Sequence, residues 1–354
     1  MHSWPYRFAV LTAVATLPLI FVGGLVTSHD AALAVPDWPT TYGYNMFLFP
    51  WKRMVGGIFY EHSHRLVASL VGLLTIILTV WLAIAEERSW LKWLGFVALA
   101  LVIVQGVLGG LRVIWLKKEI AIFHAGLAQI FFCVMVAIAL FTSNWWKRQP
   151  SFPMLREDGF LKKWTLLTTI LIFFQLLLGA TMRHTDSGLA VPDFPRIYGH
   201  WVPPLDSVSL AAINEARVWQ WDLEPVAFWQ IGLHLAHRVG AIVVSMGVVI
   251  AFGAAWRHHR YSAPLFYPAL ILVGLVLLQI GLGILVIWTR KAADIATAHV
   301  AVGALALATS FLFTLTAFRL LGPRRAVKIA NKGAPAFGIA EGEHSPVRSP
   351  SASA

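Results

Sequence analysis

Cysteine is almost missing from this chain: Cys133 is the only one in 354 residues. No intramolecular disulfide can form, and metal centres built on two or four cysteines are excluded. Lying within an apolar run, Cys133 reads as small apolar filler. Charge is scarce as well. Asp, Glu, Lys and Arg make up 13% of the residues, where a soluble domain would carry roughly a quarter. Alternating apolar and polar stretches are lacking too, which argues against a membrane β-barrel.

What remains is long and apolar. The chain is 58% hydrophobic, and eight continuous runs lie near 8–27, 64–85, 93–115, 121–142, 164–182, 234–256, 266–288 and 296–318. A helix needs about 20 mostly apolar residues to cross a bilayer, so the expected class is an all-α polytopic membrane protein with eight transmembrane helices. The first run is too long for a secretory signal, and only Arg7 precedes it, so it is read as a retained helix.

The formal charge of +11 invites a nucleic-acid reading, but the basic residues sort by loop. With the N-terminus in the cytoplasm, sixteen of the 28 lysines and arginines fall on the inner side, in short loops where their density is high. That bias places both termini inside. The charge is an orientation signal, and no nucleic-acid partner is expected.

A repeat organises the sequence. "LAVPDWPTTYG" from Leu33 and "LAVPDFPRIYG" from Leu189 agree at eight of eleven positions. "HSHRLVASLVGLL" resembles "HLAHRVGAIVVSM", and "VQGVLGGLRVIW" resembles "LQIGLGILVIW". Two four-helix halves in the same orientation explain these matches, as parallel repeats about an axis along the membrane normal. The expected divisions are 1–146, a basic cytoplasmic linker at 147–163, a second half at 164–321, and a disordered cytoplasmic tail at 322–354. The second outer loop is longer, and its "SLAAINEARVWQWD" segment suits a short interfacial helix.

Four histidines open the even-numbered runs: His64, His124, His237 and His299, two per half at matched positions. All four then sit near the outer leaflet. An imidazole in hydrocarbon is costly and usually functional. One alone would read as an interhelical hydrogen bond; four in register read as two facing pairs. Paired imidazoles in a helical bundle suit bis-histidine haem ligation, with His64 and His124 on one iron and His237 and His299 on another. A zinc or copper site is open to the same ligands, but it would need three or four donors brought together, and no third donor recurs in both halves.

Arg65 and Arg238 follow the first ligand of each pair, which suggests contacts to haem propionates. Gln105 and Gln279 also recur and read as interhelical glue, and the glycines at 106, 109, 110, 281 and 283 as close-packing positions. Asp37 and Asp193 read as loop-turning residues. The halves differ at one place. Glu61 lies three residues before His64 and nearly on its face, whereas His234 holds that position before His237. A carboxylate beside one site alone suits proton-coupled chemistry there. The roles of His62, His184 and His234 stay open.

The "EHSHR" segment, the histidines of the later runs, the "GLAVPDFP" loop and the two four-helix halves together resemble the haem A synthase family over roughly residues 5–320. The resemblance implies an oxidoreductase that converts the C8 methyl of haem O to the formyl group of haem A by successive hydroxylations with water-derived oxygen, for terminal oxidases. It implies haem O or haem A at His64 and His124, a permanent haem b at His237 and His299, and catalytic importance for Glu61. It further implies a haem O synthase partner, an electron acceptor such as a quinone, and an inner-membrane location; a homo-oligomer stays open. Some members carry an outer-loop cysteine pair, which this chain lacks. Arg183 suggests a further propionate contact. The competing readings are a quinol-linked bis-haem b-type electron-transfer protein and a haem carrier.

Overall fold

The computed structural model describes residues 4–148, 155, 157–202 and 206–321. The expected tail at 322–354 and part of the linker lie outside them. The described residues are helical with no strand. The order is α1 (Trp4–Ser28), α2 (Gly57–Ala85), α3 (Ser89–Trp115), α4 (Lys118–Thr142), a single turn α5 (Asn144–Lys147), α6 (Gly159–His184), α7 (Ser207–Trp221), α8 (Phe228–His259), α9 (Ala263–Trp288) and α10 (Ala293–Leu320). Eight of these, all but α5 and α7, are long and apolar enough to cross a membrane. Each starts three to seven residues before its apolar run. Backbone polar groups must be satisfied within the segment at membrane depth, so the helix continues through polar residues such as Tyr60, Glu61 and His62. The four histidines therefore lie six to nine residues inside their helices, about two turns in.

Two rings of four helices result. In the first, α1 packs on α2, α2 on α3, α3 on α4 and α4 back on α1. The second closes the same way through α6, α8, α9 and α10. Helices α1 and α4 meet α10, and α4 also meets α6, so the rings share one interface. Lipid supplies no hydrophobic drive for helix association, which leaves close packing and interhelical hydrogen bonds. The contacts follow that rule. Ala9, Ala13 and Ala98 are buried in the first core beside Leu78, Leu82, Phe131 and Met135. Thr79 donates to the Gly95 carbonyl across α2 and α3 at 3.0 Å, and Thr169 meets Ser310 and Thr314 across α6 and α10. Cys133 is half-buried and packs against the Ile172–Val244–Leu307 cluster of the second ring, in keeping with an apolar filler.

The two Leu-Ala-Val-Pro-Asp loops share one construction. The Asp37 carboxylate accepts from the Tyr42 and Gly43 amides at 2.7 and 2.9 Å. Asp193 accepts from Tyr198 and Gly199 at 2.8 and 2.9 Å. Each loop then needs a left-handed glycine, Gly43 at φ 76° and Gly199 at φ 77°, a conformation other residues adopt at a cost. Tyr42 and Tyr198 donate their hydroxyls to the Ala34 and Ala190 carbonyls. The loop-turning role expected of both aspartates is what they perform. The segment at 209–222 forms most of α7, held down by Arg217, which is buried and donates to the Leu189, Ala190 and Glu224 carbonyls.

Candidate haem-binding site

Helices α2 and α4 stand at opposite corners of the first ring, each packed on α1 and α3. His64 and His124 thus come from facing corners, close enough to interact electrostatically. The second ring places His237 on α8 and His299 on α10 likewise, with ring centroids 6.5 Å apart at 64°. That separation leaves room for one metal ion between two imidazole nitrogens at about 2 Å from each, a usual metal–imidazole bond length.

Each imidazole leans on a glycine of a neighbouring helix. A Cβ built on Gly23 of α1 would lie 3.0 Å from His64 Cε1, and one on Gly179 of α6 would lie 3.0 Å from His237 Cε1. Gly109 of α3 and Gly283 of α9 stand 3.6 and 3.2 Å from His124 and His299 by the same measure. Gln105 and Gln279 donate to the main-chain carbonyls of His124 and His299 at 3.0 and 2.8 Å, the interhelical bonding expected of them. Gln175 bonds both the ring Nδ1 and the carbonyl of His237.

Haem fits these residues on three observations. Among the described residues, Nδ1 of His64, His124 and His299 is buried with no partner, and no hydrogen bond reaches Nε2 of any of the four. A buried ring nitrogen without a partner is costly unless a ligand engages the imidazole. Among the described residues, no group of three or more His, Cys, Asp or Glu could hold a metal ion, which disfavours zinc and suits a macrocycle that needs only two axial donors.

Glu61 is buried at 4% exposure. Its Oε1 pairs with Arg65 at 2.7 Å, and its Oε2 accepts the Val35 amide at 2.8 Å. Arg65 also donates to the Asp37, Thr40 and Val35 carbonyls. Arg238 does the same in the second half, to Val191, Asp193 and Arg196. The terminal nitrogens of both arginines, expected on propionates, thus grip the loops; only Nε of Arg238 is a buried donor without a partner. His234, standing where Glu61 stands, takes Nδ1 to the Ser187 carbonyl at 3.1 Å. His62 meets the Thr41 hydroxyl at 3.1 Å. Arg183 donates to the Gly24 carbonyl and Ser28 hydroxyl of α1 at 2.7 and 2.6 Å, tying the rings together. Trp38 lies over Gly110 of α3, where a Cβ would come within 2.4 Å of it, so the first loop roofs the first ring.

Several of these parts escaped sequence reasoning. Gly23, Gly179, Gln175 and Arg217 carry no signal beyond their residue type. Arg112, in the last turn of α3 and within electrostatic reach of His64 and His124, did carry one, as a cation near the end of an apolar run.

Among known proteins, the model of the cytochrome oxidase assembly protein family matches residues 49–311. A protein named haem A synthase from Lysinibacillus sphaericus is 26% identical over 322 residues, 89% of this chain and 93% of its own length. The haem A synthase of Geobacillus kaustophilus is 29% identical over 89% of this chain and 90% of its own. That of a Caulobacter species is 29% identical over 86% and 93%. With most of its length matched by that model and relatives of this one kind aligned nearly end to end, the chain belongs to the cytochrome oxidase assembly protein family of haem A synthases.

Proposed function

We propose that this protein is a membrane oxidoreductase that converts haem O to haem A. The substrate sits between His64 and His124, and a resident haem b between His237 and His299. The observation that carries this reading is an asymmetry within a repeated frame: two matched imidazole pairs, with a buried carboxylate beside only the first. A protein that merely relays electrons through two equal haems has no use for Glu61 on one side and His234 on the other.

Bound haem supplies the redox chemistry of methyl oxidation and of electron export. In each hydroxylation an oxygen from water enters the substrate, and two electrons and two protons leave; two such steps and loss of water give the formyl group. The chain's own part is positional and acid–base. His64 and His124 fix the height and tilt of the porphyrin, while Gly23 and Gly109 leave room for their rings. The loop held by Arg65 covers the site with Val35 and Trp38 and limits water. Glu61 sits one helical turn before His64, where it can take a proton released at the reacting carbon and pass it along the Arg65-bound loop to the surface. Arg238 contributes by holding the second loop, and its unpartnered Nε would be available to a propionate. The four histidines lie toward the outer face of the inner membrane, with both termini cytoplasmic. A haem b held by His237 and His299 would supply the path for electrons to an acceptor such as a quinone, and a haem O synthase would supply haem O.

Reconstitution of the purified protein with haem O, followed by chromatography of the extracted pigments, tests the reading. Haem A or its alcohol precursor is the expected product. Recovery of haem b alone from both sites would make the protein an electron carrier instead.

A further inference from the structure

Arg112 is a cation of the first ring, beside the imidazole pair, that the preceding argument leaves without a task. It lies in the last turn of α3 and is half-buried. Among the described residues, no hydrogen bond, ion pair or ring contact engages its guanidinium. Its register places it in the site. Gln105, Gly109 and Arg112 follow one another at spacings of four and three, which is one helical face. The first two already touch His124, Gln105 through the main-chain carbonyl and Gly109 beside the ring. Arg112 stands one turn further toward the loop, within electrostatic reach of Glu61, His64 and His124.

The local charge does not balance. Glu61 is neutralised by Arg65 at 2.7 Å, so Arg112 remains as net positive charge. Nearby Arg183 faces Asp30 and is bonded to α1. A half-buried cation with unused donors beside a ligand site calls for an anion. The second ring has no such call: at the matching place stand Leu285 and Val286, both apolar. Arg112 is therefore peculiar to the half that also has Glu61.

We propose that Arg112 binds a propionate carboxylate of the porphyrin in the first ring and thereby orients the substrate. This rests on the reading that His64 and His124 hold haem O. The methyl group that becomes the formyl shares its pyrrole ring with one of the two propionates. A guanidinium that grips that propionate sets the neighbouring methyl in one place relative to Glu61, which lies within Arg112's reach. The porphyrin can otherwise rotate about the iron–imidazole axis with both axial bonds intact. Arg112 removes that freedom, so it is a positioning residue.

The test uses full-length protein titrated with ferric haem b and, separately, with its dimethyl ester, which lacks both charges. Binding at the first site is read from the low-spin absorption that a His64→Ala/His124→Ala protein fails to develop. Wild type is expected to prefer the diacid. Arg112→Leu, which installs the residue of the other half, is expected to weaken diacid binding about tenfold, the scale of one hydrogen bond to a charged group, and to leave the diester unchanged. Arg112→Lys should restore part of the preference. If Arg112→Leu does not accumulate, Arg112→Gln serves in the same assay. An unaltered diacid-to-diester ratio in the neutral variant, or equal weakening of both ligands, overturns the proposal. Equal low-spin absorption in wild type and the double histidine variant would instead overturn the placement of haem at His64 and His124, a separate failure.

Discussion

Glu61 is bonded on both oxygens, so replacing it acts on structure and chemistry together. Removing one partner of a buried ion pair costs about 3–5 kcal/mol, because Arg65 keeps its charge at 10% side-chain exposure. Arg65 retains three loop carbonyls, which should hold the cost of Glu61→Ala toward the lower figure. The expected result is a protein that binds haem at both sites, exchanges the amides of residues 33–44 faster with deuterium, and yields no formyl product. Normal haem A output from that variant would remove Glu61 from the chemistry. Asp37 gives the same loop a pH dependence. Burial resists its ionisation, but the Gly43, Thr40 and Tyr42 hydrogen bonds prevail and hold its pKa below the ordinary 3.8. A carboxyl depressed on folding contributes stability that is complete above its unfolded value and lost as pH falls through the folded one. Loop protection against exchange should therefore fall below about pH 4 in wild type, while Asp37→Asn, weaker at neutral pH, should change little over that range.

At the scale of elements, glycines decide how closely helices and loop approach. A Cβ on Gly110 would strike the Trp38 ring at 2.4 Å, whereas one on Gly109, the preceding residue, meets His124 at an ordinary 3.6 Å. Gly110→Ala should lift the loop from α3 and cost about 1–3 kcal/mol, the usual penalty of overpacking. Gly109→Ala should be tolerated and add up to about 1 kcal/mol through helix propensity. Thermal melting of the two variants, side by side, measures the contrast; equal melting temperatures would contradict the packing described. The sequence already displayed much of this level. Eight helices were legible because a bilayer admits few alternatives, and the four histidines with Glu61 stood out as polar groups in apolar runs. The deeper starts of the helices were not legible, since hydropathy ends where Tyr60 and His62 begin while the hydrogen-bond ladder does not. Nor was the work of Arg65 and Arg238, whose partners are main-chain carbonyls 25 to 47 residues away, groups that every residue type presents alike.

Across the whole molecule, each imidazole pair is built inside a single ring, while the joint between rings is made of other residues. Ser28 meets the Thr297 hydroxyl at 3.1 Å, Arg183 reaches back to α1, and Phe132, Ala304 and Ala308 fill the space between α4 and α10. Among the described residues, no ligand candidate is shared across that joint. On the proposed assignment, loss of one of these imidazoles in one ring should therefore leave haem binding in the other ring intact. Haem b content, measured as the pyridine haemochrome per protein, is expected to fall severalfold in His237→Ala and in His299→Ala, while haem O added to either variant still binds at the first ring. His64→Ala and His124→Ala should show the converse: normal haem b and no uptake of haem O. The glycine behind each histidine argues that the alanine variants keep their backbone, because the deleted ring faces a surface already shaped to leave room. Haem b retained at wild-type level in both second-ring variants would contradict the division of labour between the rings. Simultaneous loss from both rings in any single variant would mean that the joint, rather than the imidazole pair, holds the haems in place.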